Sequence, residues 1–170
     1  MSYALFIDDD PQIVASATDL VRAQGLTLET ASTWDEGLEK FYAYSPDLVI
    51  SDFNLPGSEM GLRLLLTISK LRPSVRVILL SAYLNEDDAA KIRGLHLVHD
   101  VVIKTDPVAT ARRILQEVSD AANRADDSTD WVAFSHASQD VREVDDSIFD
   151  ELDAYLISNR LPADGGKADA

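Results

Sequence analysis

The sequence predicts an α/β domain: a five-stranded parallel sheet of order 2-1-3-4-5, doubly wound with helices on both faces, followed by a C-terminal helical extension. Three observations predict it. Short apolar runs alternate with helix-period segments five times between residues 3 and 123, and the connections between them are short, as right-handed crossovers allow. Four of the runs end on polar residues, Asp8, Asp52, Ser81 and Lys104, which is how a sheet looks when loops at its carboxyl edge share one crevice.

Each element has a local reason. Residues 3–7 form a strand that stops at Asp8-Asp9-Asp10. Asp10-Pro11 opens a helix, because Asp accepts from free amides and Pro lacks only an N–H that would be unpaired. Ile13, Val14, Ala17, Leu20 and Val21 recur at helical spacing up to Gly25, a stop signal. Leu26 to Ala31 is the second strand; Thr33-Trp34-Asp35-Glu36 starts a helix carrying Leu38, Phe41 and Tyr42, with Trp34 packing it, and Ser45-Pro46 closes it. The run Leu48 to Ile50 ends on Ser51-Asp52 before the turn residues Pro56 and Gly57. A third helix from about Met60 to Leu71 follows, then Arg72-Pro73-Ser74 and the strand Val75 to Leu80. Asn85-Glu86-Asp87 opens a fourth helix that Gly94 ends; after a strand from Val98 to Ile103, Asp106-Pro107 opens a fifth helix with Val108, Ala111, Ile114, Leu115 and Val118.

With 170 residues, 46% of them hydrophobic, one good core plus an appendage is expected. The formal net charge of -15 argues against a nucleic-acid partner, which needs clustered Lys and Arg. The absence of cysteine excludes disulfides and thiolate metal sites. Met1-Ser2-Tyr3-Ala4 has no basic leader, and no apolar window approaches a membrane span. The expectation is a cytoplasmic protein with no membrane partner.

The order 2-1-3-4-5 sets strands one and three side by side at the switch point, which places Asp8, Asp9 and Asp52 together. Carboxylates so crowded repel one another, and the arrangement persists best around a divalent cation. Oxygen ligands alone, with no His or Cys beside them, point to Mg²⁺, which shares its shell with phosphate. A lysine charge and a serine hydroxyl on the neighbouring strand ends suit a transferring phosphoryl group, for which one carboxylate must be the nucleophile.

Residues 1–123 resemble the receiver domain of two-component response regulators, a CheY-like, flavodoxin-like fold. The likeness is carried by Phe6-Ile7-Asp8-Asp9-Asp10-Pro11, by Leu48 to Gly57, by Ile78-Leu79-Leu80-Ser81-Ala82 and by Lys104, in order and at suitable spacing. The resemblance implies that Asp52 accepts the phosphoryl group and that Asp8 and Asp9 hold Mg²⁺ with it. The backbone carbonyl of Asn54 would complete the metal shell, Ser81 would hydrogen-bond the aspartyl phosphate and Lys104 would pair with it. It implies a histidine kinase or phosphotransfer protein as partner, and a phosphoacceptor that supports its own phosphotransfer and slow autodephosphorylation rather than an enzyme.

The departures from the family concern output. Thr105 follows the lysine where the family usually has Pro, Val101 stands where the aromatic switch residue usually lies, and Gly61 sits one residue late, suggesting a small insertion at Gly57 to Met60. Asn54 and Tyr83 occupy positions that tune dephosphorylation in the family. Other polar residues have plainer readings: Asp10 is a cap, His96 and His99 are loop or surface residues, and His136 has no base or nucleophile beside it.

Beyond the receiver the composition changes. Residues 124–139 read as an acidic linker, 140–160 as an amphipathic helix and 161–170 as a disordered tail. Residues 126–170 hold twelve acids and three bases, a net of -9, too acidic and short for a winged-helix or helix-turn-helix output domain. Val141, Val144, Ile148, Leu152, Tyr155 and Leu156 follow helical spacing, with Asp140 and Glu143 placed like a capping box. A lone helix of that length is marginal, so the stripe needs its own domain, a second copy or a partner. A homodimer through the last receiver helix and this segment is one expectation, with Trp131 and Phe134 as anchors.

Three functional readings follow. The first is a phosphorylation-controlled signalling module whose output is protein contact; the second is a phosphorylation-independent interaction scaffold, suggested by Val101 and Thr105. The third is a phosphohydrolase of the haloacid dehalogenase type, whose Asp-x-Asp-x-Thr/Val pattern would map to Asp8 and Asp10 but meets Gln12 at its third position.

Overall fold

The computed structural model describes residues 3–55, 65, 68–69, 72, 74–94 and 98–124. Its strands are β1 (Ala4–Ile7), β2 (Leu28–Ala31), β3 (Leu48–Asp52), β4 (Arg76–Ser81) and β5 (Asp100–Ile103); its helices are α1 (Pro11–Ala23), α2 (Trp34–Tyr44), α3 (Glu86–Gly94) and α4 (Pro107–Arg124). All strand pairs are parallel and the order is β2-β1-β3-β4-β5, as expected. Most of the helix expected from Met60 to Leu71 lies outside the described residues; Leu65, Ile68 and Ser69 within it are helical. So do the Gly57 to Met60 insertion, His96, His136, Trp131, Phe134 and everything from residue 125, including the expected linker, amphipathic helix and tail.

Successive strand residues point to opposite faces, and the two faces make two cores. Leu5, Ile7, Val49, Val77, Leu79 and Val101 pack under α2, α3, Leu65 and Ile68; Ala4, Phe6, Leu48, Ile50, Ile78, Leu80 and Val102 pack under α1 and α4. At Gly37 of α2 an added Cβ would lie 2.6 Å from Ile7 Cδ1, so the glycine lets α2 sit close on β1. The helix punctuation is as expected. Asp10 Oδ1 accepts from Gln12 N–H at 2.9 Å, Thr33 Oγ1 from Glu36 N–H at 3.3 Å, and Ser45 ends α2 in the left-handed region at φ 50°.

β1 and β4 begin one residue later than expected, and two strand starts differ by two residues, for identifiable reasons. β2 begins at Leu28 rather than Leu26 because Leu26 N–H closes the end of α1 on Val21 O, while Gly25, at φ 72°, donates to Arg22 O. These are the paired bonds of a Schellman stop. β5 begins at Asp100 rather than Val98. Here His99 Nδ1 accepts the Val77 N–H at 2.9 Å, a ring nitrogen standing where a strand carbonyl would.

His99 lies in the bend before β5, as expected of a loop residue, but its ring is a structural acceptor. Burial, then the charge of Arg76, push its pKa from 6.5 to about 3. Between those values the unfolded chain binds the extra proton, so stability falls as pH drops through the unfolded value towards 3. Between pH 7 and pH 5 the wild type should lose about 1–2 kcal/mol more than His99→Asn in urea titrations. Asn keeps an acceptor without the titration, and equal losses in both proteins would contradict this account.

Candidate functional site

Parallel pairing brings the carboxyl ends of β1, β3, β4 and β5 to one edge. Backbone bonds knit that edge together: Asp8 N–H to Ala31 O at 2.9 Å, Phe53 N–H to Leu80 O at 2.7 Å and Lys104 N–H to Ser81 O at 2.8 Å. The three carboxylates expected to meet there do so. One carboxylate oxygen from each of Asp8, Asp9 and Asp52 lies within 4.8 Å of the others. Asp8 and Asp52 are buried and Asp9 is exposed.

Lys104 holds the buried pair from below. Its Nζ lies 2.7 Å from Asp8 Oδ2 and 3.1 Å from Asp52 Oδ2, with the lysine side chain only 9% exposed. The remaining oxygens take backbone donors: Asp10 N–H reaches Asp8 Oδ1 at 2.9 Å and Asn54 N–H reaches Asp52 Oδ1 at 3.3 Å. Asp8 Oδ2 is buried and meets the Lys104 ammonium, which it shares with Asp52. Ser81 is fully buried at the end of β4, and its Oγ accepts from Tyr83 N–H at 3.2 Å.

The electrostatics follow from burial. Desolvation raises the pKa of Asp52 to about 6, the charge of Lys104 opposing and that of Asp8 adding. Asp8 is raised chiefly by burial as well, against its hydrogen bond to Lys104. Burial works against the Lys104 charge too, but its contacts with Asp8 and Asp52 outweigh it and its pKa is raised. One lysine thus serves two buried carboxylates with a third beside them, and the pocket lacks positive charge. Three carboxylates sharing one ammonium and an all-oxygen donor set fit a hard divalent cation of the Mg²⁺ kind.

Two supports were not visible in the sequence. Thr105 keeps the N–H a proline would lack, and the buried Thr110 hydroxyl accepts it at 3.1 Å. The signal available was a hydroxyl on the apolar face of α4. Arg93, at the end of α3, donates to Asp100 Oδ1 at 2.9 Å and to Val101 O at 2.6 Å, a contact that no spacing rule indicates.

A doubly wound sheet with three acids and a lysine at its switch point defines a flavodoxin-like protein built to handle a charged ligand at the carboxyl edge. The chain matches the response regulator receiver domain over residues 4–118 and belongs to that family. It is 32% identical over 88 residues to the transcriptional regulatory protein GlrR of Escherichia coli, covering 52% of this chain and 20% of that one. It is 33% identical over 86 residues to the nitrogen assimilation regulatory protein NtrX of Azorhizobium caulinodans, covering 50% and 19%. The chain therefore spans about a fifth of the length of these curated relatives.

Solved receivers share the fold. A CheY-like receiver domain protein from Methanospirillum hungatei JF-1 superposes with TM-score 0.59 at 25% identity, covering 73% of this chain and 98% of that one. The response regulator TrrA of Thermotoga maritima, solved in complex with Mg²⁺-BeF, gives 0.57 at 26% identity, covering 69% and 99%. No helix among the described residues is long and apolar enough to cross a membrane.

The raised pKa of Asp52 has a cost at neutral pH. The folded carboxyl keeps its proton to about pH 6 and the unfolded one loses it near 3.8, so stability falls as pH rises through that window. With a chelator present at pH 7, Asp52→Asn should be more stable than the wild type by about 1–2 kcal/mol, and the gap should close at pH 4. Denaturant midpoints at the two pH values check this, and a variant less stable at pH 7 would refute it.

Proposed function

We propose that this chain is a phosphoacceptor whose Asp52 takes a phosphoryl group in a Mg²⁺-dependent transfer and whose output is contact with other proteins. The observation that carries the reading is the convergence of Asp8, Asp9 and Asp52 within 4.8 Å, beside Lys104. Receiver domains interact with histidine kinases or phosphotransfer proteins, and one of these is the proposed donor. Asp8, Asp9, Asp52 and the Asn54 carbonyl would hold Mg²⁺, which when bound neutralises the acids and the oxygens of the transferring group.

The chain's own residues supply the rest. With a pKa of about 6, Asp52 is ionised at neutral pH and can attack. Its carboxylate oxygen forms the new O–P bond as the donor's P–N bond breaks, and the donor imidazole leaves with the electron pair. Lys104 Nζ, already 3.1 Å from Asp52 Oδ2, is placed to pair with a phosphoryl oxygen. Ser81 Oγ uses a lone pair for Tyr83 N–H, which leaves its proton to be donated to another.

The chain on this reading supports its own phosphotransfer and a slow autodephosphorylation, in which water takes the phosphoryl group as inorganic phosphate and frees the Asp52 carboxylate, and it is not a turnover enzyme. The phosphohydrolase reading loses support because Asp10, its required second aspartate, is spent as the cap of α1. A phosphorylation-independent scaffold would keep the fold without the transfer.

Incubation with acetyl phosphate and Mg²⁺ should add one phosphoryl group to the wild type by intact mass and none to Asp52→Asn. Chelation should abolish labelling, and Lys104→Ala should slow it by at least about tenfold. Equal labelling of wild type and Asp52→Asn would sink the proposal; a wild type that never labels would leave the scaffold.

A further inference from the structure

The opposite, amino edge of the sheet has a different chemistry. Tyr3, Asp47 and Arg76 lie side by side where strands begin, with Asp47 N–H donating to Tyr3 O at 2.8 Å and Arg76 N–H to Asp47 O at 2.9 Å. Because α1, α2 and α4 run back against the strands, their last turns end at this rim. Arg22, Tyr44 and Arg124 are thereby brought there, with Tyr42 in the last turn of α2. Arg72 joins them, its Nη2 donating to Ser45 Oγ at 2.7 Å and its guanidinium lying 5.2 Å from the Phe41 ring centroid.

This rim carries Arg22, Arg72, Arg76 and Arg124 beside the acids Asp47, Asp100 and Glu117, in a chain whose net charge is -15. Glu117 offsets Arg76 at 3.5 Å but also serves Arg113 at 2.7 Å. Arg76 Nε is buried without a hydrogen-bond partner among the described residues. Tyr42 and Tyr44, on the same rim, are 62% and 45% exposed, although their neighbour Phe41 is buried.

The described residues end at this rim, with Arg124. Two residues beyond Arg124 come Asp126 and Asp127, the start of a stretch with a net charge of -9 and one apolar stripe at helical spacing. We propose that residues 140–160 fold back as an amphipathic helix onto the amino-edge rim of their own domain, laying the stripe over Tyr42 and Tyr44 and turning acids towards Arg72 and Arg124.

Charge and reach both favour this occupant. A helix of that length spans roughly 30 Å, more than the roughly 20 Å of a five-stranded sheet at its strand spacing. The intervening residues 125–139 would give a flexible end-to-end distance of roughly 20 Å, enough to return to the rim. A tether so short holds the segment at an effective concentration near the millimolar range, which a free second copy reaches only in concentrated protein. The rim lies away from Asp52, so the contact does not depend on the phosphoacceptor reading.

Hydrogen exchange on the full chain at a concentration where its mass is that of a monomer tests this. Amides of 140–160 and of Tyr42 to Ser45 should be protected in the wild type, and both should lose at least about tenfold of that protection in Ile148→Asp and in Arg72→Glu. Overturning results are random-coil exchange of 140–160 in the wild type, protection that disappears on dilution from dimer to monomer, or loss in the tail with no change at Tyr42 to Ser45. The first leaves the stripe for a separate partner, the second assigns it to a second copy, and the third puts it on another face. Urea midpoints of the variants, if close to the wild type, show that lost protection is not global unfolding.

Discussion

Two carboxylates taken out of water beside one ammonium is the arrangement on which this molecule turns. Lys104 sits 2.7 Å from Asp8 and 3.1 Å from Asp52, and its single charge cannot balance both while Asp9 stands within reach of the same point. Burial of an incompletely paired charge is among the most costly things a fold can do. The rest of the domain has to be stable enough to carry it. Two cores, one on each face of the sheet, supply that margin, with β1, β3 and β4 beyond Arg76 buried throughout. The site is thus a place where stability is given up for a standing demand for positive charge.

Holding the acids in place also requires that the sheet not slip or recruit another strand. Its two edge strands would otherwise offer bare backbone to a neighbour. At β2, Lys40 Nζ donates to Thr30 O and pairs with Glu36 at 3.1 Å. At β5 the outward N–H and C=O of Val101 are taken by Asp100 Oδ1 at 2.7 Å and Arg93 Nη2 at 2.6 Å, and Asp100 in turn binds Arg113 of α4 at 3.2 Å. Side chains thus take up backbone groups at both edges, at Thr30 of β2 and at Val101 of β5.

Features set by local chemistry were legible in the sequence. Asp10-Pro11, Thr33 to Glu36, Ser45 and Asp106-Pro107 act through neighbours a few residues away, and the structure places the helix ends where they indicate. The acid cluster was legible for another reason: the alternation of strands and helices limits the topology, and topology alone puts Asp8, Asp9 and Asp52 together. His99 was not, because its partner Val77 is 22 positions away and no periodicity marks a ring nitrogen that replaces a carbonyl. Arg93 and Thr110 were missed on similar grounds, since a long flexible side chain and a buried hydroxyl acquire their roles only from what faces them in three dimensions.

The same contacts limit how a change at the site can spread. Val101 is 2% exposed and has a single side-chain torsion, so it offers no ring to swing between an inner and an outer position. What Ser81 does hold is Tyr83 N–H, at 3.2 Å, and two residues further on Asn85 Oδ1 caps α3 through Asp88 N–H at 2.8 Å. A serine hydroxyl drawn towards a group on Asp52 would pull on a short, hydrogen-bonded loop that begins α3. The far end of that helix is pinned, because Arg93 grips Asp100 and the Val101 carbonyl. Arg93 thus ties the end of α3 to the start of β5.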